Sequence, residues 1–262
     1  MDRQPIGILD SGVGGLTVVR ELLRLLPGED IVYFGDSANC PYGNKTRQEL
    51  VALAGHVMEF LRAHGAKIIA PACNTTSSII EEFDVGVPLV GIIEPAARKI
   101  ADMHPADVGV FATEFTIASG CYPRKIGESA PDINVVCKGS PTLAALIECG
   151  AFDYSAIDAE IKKQVSDILS RADVHDLVLG CTHYPIVLDR FRHCFPEMYF
   201  IDPAHEQALA VRKCLADADA LSDSGRGSLT IYTTGDTDVY CVICEALGIT
   251  APTRYVHTDG CE

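Results

Sequence analysis

The sequence predicts an α/β protein of two pseudo-symmetric domains, each a mainly parallel sheet flanked by helices, with the functional site in the cleft between them. Three observations predict it. Short runs of Ile, Val, Leu and Ala alternate with stretches of helical periodicity, as in parallel strands joined by right-handed crossovers. Two of those runs stop on a cysteine followed by small polar residues: Ile68 to Cys73-Asn74-Thr75-Thr76, and Leu177 to Cys181-Thr182-His183. The run Val108–Thr113 repeats Ile6–Ser11 at an offset of 102, and Cys181 follows Cys73 by 108, as a duplicated half requires.

Taken in order, Ile6–Leu9 is a first strand ending on Asp10-Ser11-Gly12-Val13-Gly14-Gly15, before a helix from Leu16. Glycines in such a turn let the backbone approach a ligand and leave amides free for a carboxylate or phosphate. The spacing matches neither a dinucleotide fingerprint nor a Walker loop. Asp10 is unusual there, and capping of the next helix is the plain alternative for it. Ile31–Phe34 is a second strand, and Thr46-Arg47-Gln48-Glu49 is a capping box that opens a helix. His56 and His64 on that helix read as surface or packing residues. After the Cys73 strand come a helix over Ser77–Phe83 and a fourth strand over Val87–Ile93.

The second half repeats this order. It predicts a helix over 116–127, a strand at Asn134–Val136, helices over 142–148 and 155–171 with Ser155 as the cap of the longer one, the Cys181 strand, a helix over 186–193 and a strand at Met198–Ile201. The tail predicts a helix over 204–216, a loop over 221–227, a strand at Leu229–Thr233 and a helix over 237–247, packed back on the first half. The expected division is 1–97 with 207–262, and 98–206.

Composition narrows the function. Hydrophobic residues are 48% and charged residues 22% of 262, a globular balance. No apolar run approaches the roughly 20 residues of a membrane span, and Met1–Ile6 carries no leader pattern, so a cytoplasmic protein is expected. A net charge of −15 without a basic cluster argues against nucleic acid. Eleven cysteines, an odd number, fit a reducing compartment better than a disulfide framework. Cys241 and Cys244 lie in a helical pattern with no second pair to complete a zinc site, and are read as core packing.

Free cysteines are often simply buried, but their twinned context at two strand ends points to chemistry. Three schemes are open: a redox pair, a single cysteine nucleophile with His183 as base, and proton transfer from opposite sides of one carbon. The last alone uses both cysteines and both polar neighbourhoods. A thiol suits it because its ordinary pKa of about 8.5 needs only modest depression to give thiolate near neutrality. The site must also stabilise a carbanion-like transition state, for which Asn74, Thr75, Thr182 and nearby amides are candidate donors. Asp10 beside one thiol and His183 beside the other are expected to adjust proton affinity.

Asp10-Ser11-Gly12-Val13-Gly14-Gly15-Leu16-Thr17, Tyr33-Phe34-Gly35-Asp36, Pro41-Tyr42-Gly43, Ala72-Cys73-Asn74-Thr75 and Leu179-Gly180-Cys181-Thr182-His183-Tyr184-Pro185 together resemble the glutamate racemases of the aspartate/glutamate racemase superfamily. The resemblance implies a cofactor-independent, metal-free two-domain enzyme that interconverts L- and D-glutamate, with Cys73 and Cys181 exchanging the proton. It implies auxiliary roles for Asp10, Glu148 and His183, and substrate contacts at Asp10, Ser11, Tyr42, Gly43, Asn74, Thr75, Thr182 and His183, with Thr113 and Thr116 nearby. It also implies a homodimer supplying D-glutamate to bacterial peptidoglycan. Pro71, Thr76 and Ser37-Ala38-Asn39-Cys40 depart from the usual pattern, which has alanine at 76 and valine at 40, and Glu148-Cys149 carries one acid where two are common. These departures leave room for aspartate or another dicarboxylic amino acid as substrate. The other readings are a sister racemase of aspartate or hydantoins, and a catalytically idle binding protein on the same fold.

Overall fold

The computed structural model describes residues 4–251 and 253–258. Its first segment runs β1 (Ile6–Asp10), α1 (Leu16–Leu25), β2 (Ile31–Gly35), α2 (Arg47–Ala63), β3 (Ile68–Pro71), α3 (Asn74–Ser77) and α4 (Ile93–Met103). The pattern then restarts with β4 (Asp107–Thr113), α5 (Glu114–Ala118), α6 (Cys121–Gly127), β5 (Asn134–Ser140), α7 (Leu143–Glu148), α8 (Tyr154–Leu169), β6 (Asp176–Gly180), α9 (Leu188–Cys194) and β7 (Tyr199–Ile201). The tail adds α10 (Ala204–Asp217), β8 (Leu229–Thr233), α11 (Thr237–Ala246) and β9 (Thr253–His257).

The strands form two sheets, ordered β3-β1-β2-β8-β9 and β5-β4-β6-β7, and every pairing is parallel. In both, the first strand of the half lies between its third and its second, so β3-β1-β2 corresponds to β6-β4-β5. The repeat seen in the sequence is thus a repeat of topology. Registers align the strand ends: Leu9 pairs with Pro71, Asp10 with Gly35, Ala112 with Gly180 and Thr113 with Ser140. Ligand-binding loops of open parallel sheets gather at those carboxyl ends.

Burial explains the strands. β1 and β3 are buried along their whole length, so they read as continuous apolar runs rather than alternating ones. One core cluster spans both sheets, joining Ile6 and Ile8 of β1 to Val108 and Val110 of β4, Val178 of β6 and Val211 of α10. Fully burying each such side chain stabilises the fold by about 1.5–3 kcal/mol. The tail packs back on the first sheet as expected: β8 pairs with β2, and α10 lies against α1 and α4. The expected division at 97/98 and 206/207 falls inside α4 and α10.

Several elements differ from the sequence expectation. Val87–Ile93 is no strand; it makes one bridge, Leu89 to Ile69, on the edge of β3, because Pro88 lacks a donor and the chain enters α4 at Ile93. The helix expected over 77–83 begins earlier, at Asn74, and gives way to a 3-10 turn at Ile80–Glu82. The helix expected over 116–127 is broken into α5 and α6 by Gly120, which adopts a left-handed φ of 64°. The expected 186–193 helix begins as a 3-10 turn at Tyr184–Val187 before α9. Strand β9 was not expected. Of the Cys241/Cys244 pair, only Cys244 is core; Cys241 is exposed. Thr46 and Glu49 do form the capping box of α2.

The cap of α8 is also corrected. Asp153, not Ser155, accepts from the amides of Ser155 and Ala156, at 3.0 and 3.1 Å. Asp153→Ala should therefore cost about 1 kcal/mol in denaturant unfolding, with Ser155→Ala within about 0.5 kcal/mol of the parent.

Candidate active site

The carboxyl ends of β1, β3, β4 and β6 meet in a single site. β3 delivers Cys73 and β6 delivers Cys181, and the two thiols line the same cavity. Ser11, Tyr42, Gly43, Asn74, Thr75, Thr113, Thr182 and His183 line it with them. Asp10, Thr116 and Glu148 stand directly behind that lining. The cavity holds about 10 Å³, room for about one water molecule. Each thiol is 5% exposed. The sites expected from the sequence are thus brought together, in a closed cleft.

Asp10 does not cap α1, whose N-cap is Gly15 with no side-chain bond. Its carboxylate instead accepts from the Gly12 amide at 3.1 Å and, across the cleft, from the Thr182 hydroxyl at 3.0 Å. Cys73 lies 3.9 Å from the Ser11 hydroxyl. On the opposite side the Cys181 sulfur lies 3.7 Å from His183 Nδ1, and His183 Nε2 donates to Glu148 Oε2 at 2.6 Å. The hydroxyls of Thr75, Thr113 and Thr116 form a closed triangle of 2.9, 3.0 and 3.3 Å that ties β3's end to β4's. Asn74 Oδ1 accepts from Tyr122 at 2.7 Å, which leaves its buried Nδ2 with no partner among the described residues.

The glycine loop works differently from the sequence expectation. Its amides face protein carboxylates: Val13 N–H donates to Glu148 at 2.9 Å. A Cβ on Gly12 would stand 2.2 Å from the Glu148 carboxylate, and one on Gly14 would stand 2.4 Å from the Thr182 hydroxyl. These glycines allow the two strand-end clusters to touch. Sequence reasoning also missed Ser37 and Tyr240. Ser37 donates to Glu148 Oε1 at 2.5 Å and lies 2.8 Å from the Tyr240 hydroxyl, extending the line from Cys181 through His183 and Glu148. Ser37 sits in a loop the sequence flagged only as unusual; Tyr240 gives no local signal within an apolar helix.

A model of the Asp/Glu/Hydantoin racemase family matches residues 6–211. The chain belongs to that family. It is 38% identical to a glutamate racemase of Carboxydothermus hydrogenoformans over 88% of this chain and 87% of that one. It is 36% identical to a glutamate racemase of Thermus thermophilus, covering 94% and 93%. The structure resembles that of a glutamate racemase from Francisella tularensis in complex with D-glutamate, with a TM-score of 0.88, 30% identity and 98% coverage of each chain. An aspartate racemase of Picrophilus torridus shares the fold, with a TM-score of 0.63 and 19% identity.

The electrostatics of this racemase-family site follow from closure. Burial pushes Asp10 up to about 6, against the opposing pull of His183, the Gly12 amide and Thr182. Burial, then the Asp10 carboxylate, push the Cys73 thiol up to about 12. For His183 burial favours the neutral ring, but hydrogen bonds to Cys181, Cys40 and Glu148 outweigh it and hold the imidazole well above its ordinary range. Burial and the neighbouring carboxylate both favour the protonated thiol, so Cys73 does not give its proton to Asp10. In this closed site Cys73 is therefore held as a thiol, and its use as a base requires nearby positive charge.

Asp10 carries a stability consequence. Its folded pKa lies above the ordinary 3.8, so its contribution is fully present below 3.8 and is lost as pH rises through about 6. Ionised, it costs the fold about 3 kcal/mol. Asp10→Asn should thus raise the urea midpoint well above pH 6, and the gain should vanish below 3.8. An equal gain at both extremes would contradict the shift.

Proposed function

We propose that the protein interconverts L- and D-glutamate without a cofactor, by proton transfer at Cα between two thiols. Either Cys73 or Cys181 removes the α-proton from one face while the other thiol delivers a proton to the opposite face. The observation that carries this reading is that both sulfurs border one small cavity, each on its own sheet. The glutamate racemase relatives and the D-glutamate-bound neighbour support the substrate.

On this reading the bound amino acid brings its α-ammonium into the cleft beside Asp10 and the thiols. That charge stabilises thiolate and offsets the burial that holds Cys73 protonated. Asn74 Nδ2, without a partner among the described residues, donates to the substrate carboxylate, with Thr75, Thr182 and Ser11 as further donors, Tyr42, Gly43 and Thr113 shaping the far wall, and Thr116 behind it holding Thr113. Preorganised donors at that carboxylate stabilise the charge that develops as the proton leaves. His183, oriented by Glu148, holds and exchanges charge with Cys181; Asp10 does so on the Cys73 side.

A cavity of about 10 Å³ admits no amino acid, so the two sheet units, taken as two domains, must part to bind and release. Parting breaks the Thr182–Asp10, Val13–Glu148 and Thr75–Thr113 bonds. Closure expels water and strengthens every interaction inside. We further place the enzyme in the cytoplasm as a homodimer whose D-glutamate goes to peptidoglycan. Among the described residues no helix is long and apolar enough to cross a membrane.

Cys73→Ser and Cys181→Ser, made separately, should each lower racemisation in both directions by about 10²–10⁴-fold. Binding of D-glutamate should survive in each. If either variant racemised glutamate at the parent rate, the two-thiol reading would fall.

A further inference from the structure

One cluster beside the cleft has a use that racemisation does not require. Cys40, Glu148 and His183 bring a thiol sulfur, a carboxylate oxygen and an imidazole nitrogen within 4.8 Å of one another. Cys40 does not line the cavity between Cys73 and Cys181. It is partly exposed and lies 4.0 Å from the Ser11 hydroxyl. It also occupies a position where the family resemblance leads one to expect valine, which offers no ligand atom.

We infer that Cys40, Glu148 and His183 form an inhibitory site for Zn²⁺. A thiolate, an imidazole and a carboxylate are the donor types zinc takes, and three protein ligands with a fourth position left to water is a common zinc arrangement. Zinc holds such ligands at about 2.0–2.3 Å, which places them roughly 3.3–3.8 Å apart, so a gap of up to 4.8 Å has to close by about 1 Å while the His183–Glu148 pair, 2.6 Å apart, opens by a little less than that. Burial pushes the Cys40 thiol up to about 11, so the free thiol is protonated; metal binding displaces that proton into solvent.

The consequence for the cleft follows from what the ligands otherwise do. His183 Nε2 donates to Glu148 at 2.6 Å, and the same ring faces Cys181. A zinc ion bound to both side chains replaces the shared proton and fixes the imidazole. Glu148 is drawn from the Val13 amide and Ser37. Zinc therefore stops the Cys181 side from exchanging protons, without touching either catalytic sulfur.

The test uses the full chain and has a readout independent of turnover. Co²⁺ added to the Cys73→Ser/Cys181→Ser double variant should give a thiolate-to-cobalt charge-transfer band that Zn²⁺ abolishes by displacement. Adding Cys40→Val should remove the band. In the otherwise unaltered chain, free Zn²⁺, buffered against chelation by glutamate, should inhibit racemisation reversibly, with activity restored by EDTA. Cys40→Val, measured against its own zinc-free rate, should need about 10–100-fold more free zinc for the same fractional inhibition. The inference is overturned if the double variant gives no band, which would assign the metal to Cys73 and Cys181, or if Cys40→Val is inhibited at the same free zinc. Loss of racemisation in every chain, with the Cys40-dependent band intact, would count against the proposed reaction and leave the metal site standing.

Discussion

The carboxylate of Glu148 is the junction on which the site depends. It accepts from His183 on its own side of the cleft, and from the Val13 amide and the Ser37 hydroxyl on the other. A half-buried carboxylate with fewer partners would be costly, because the desolvation it does suffer is repaid only by well-placed hydrogen bonds and opposite charge. With these partners it both latches the two sheets together and orients the imidazole toward Cys181. Gly12 is what permits the approach, since any side chain there would occupy the space of the carboxylate.

The two halves are alike in topology and unlike in chemistry. β3-β1-β2 and β6-β4-β5 place one thiol each at equivalent strand ends. Yet Cys73 has a carboxyl beside it, which raises its proton affinity, while Cys181 has an imidazole. A symmetric scaffold thus holds two acids of different surroundings against a common cavity, which is what discrimination between two faces of one carbon requires. Closure sharpens the difference, because both neighbours act through a medium of low polarity.

Much of this was legible in the sequence, for identifiable reasons. The strands that carry Cys73 and Cys181 are buried on both faces, so they appear as uninterrupted apolar runs, and the polar residues that follow mark where burial ends. The Thr46–Glu49 box was readable because both partners lie within one turn. The Ser37–Tyr240 extension was not, because its members are 203 positions apart and neither sits in a pattern of its own. The strand expected over 87–93 failed on tertiary grounds: its residues are apolar, but the edge of β3 accommodates only one bridge before the chain turns into α4. The cap of α8 was expected at Ser155, but Asp153, two positions earlier and an equally good N-cap residue, is the one that accepts from the first helical amides. Backbone geometry decided it. The glycine loop showed the limit of motif reading, since the residues that leave amides free for a ligand are the same ones that let two protein surfaces touch.

Racemisation by two thiols requires each to address its own face of one carbon. The most direct measurement is the deuterium content at Cα of both enantiomers, early in turnover of protiated glutamate in D₂O. Two opposed thiols predict a product that carries solvent deuterium while the unreacted enantiomer remains protiated, from whichever side the reaction is begun. A product that retains the substrate's own hydrogen, or unreacted substrate that gains deuterium as fast as product forms, would contradict it.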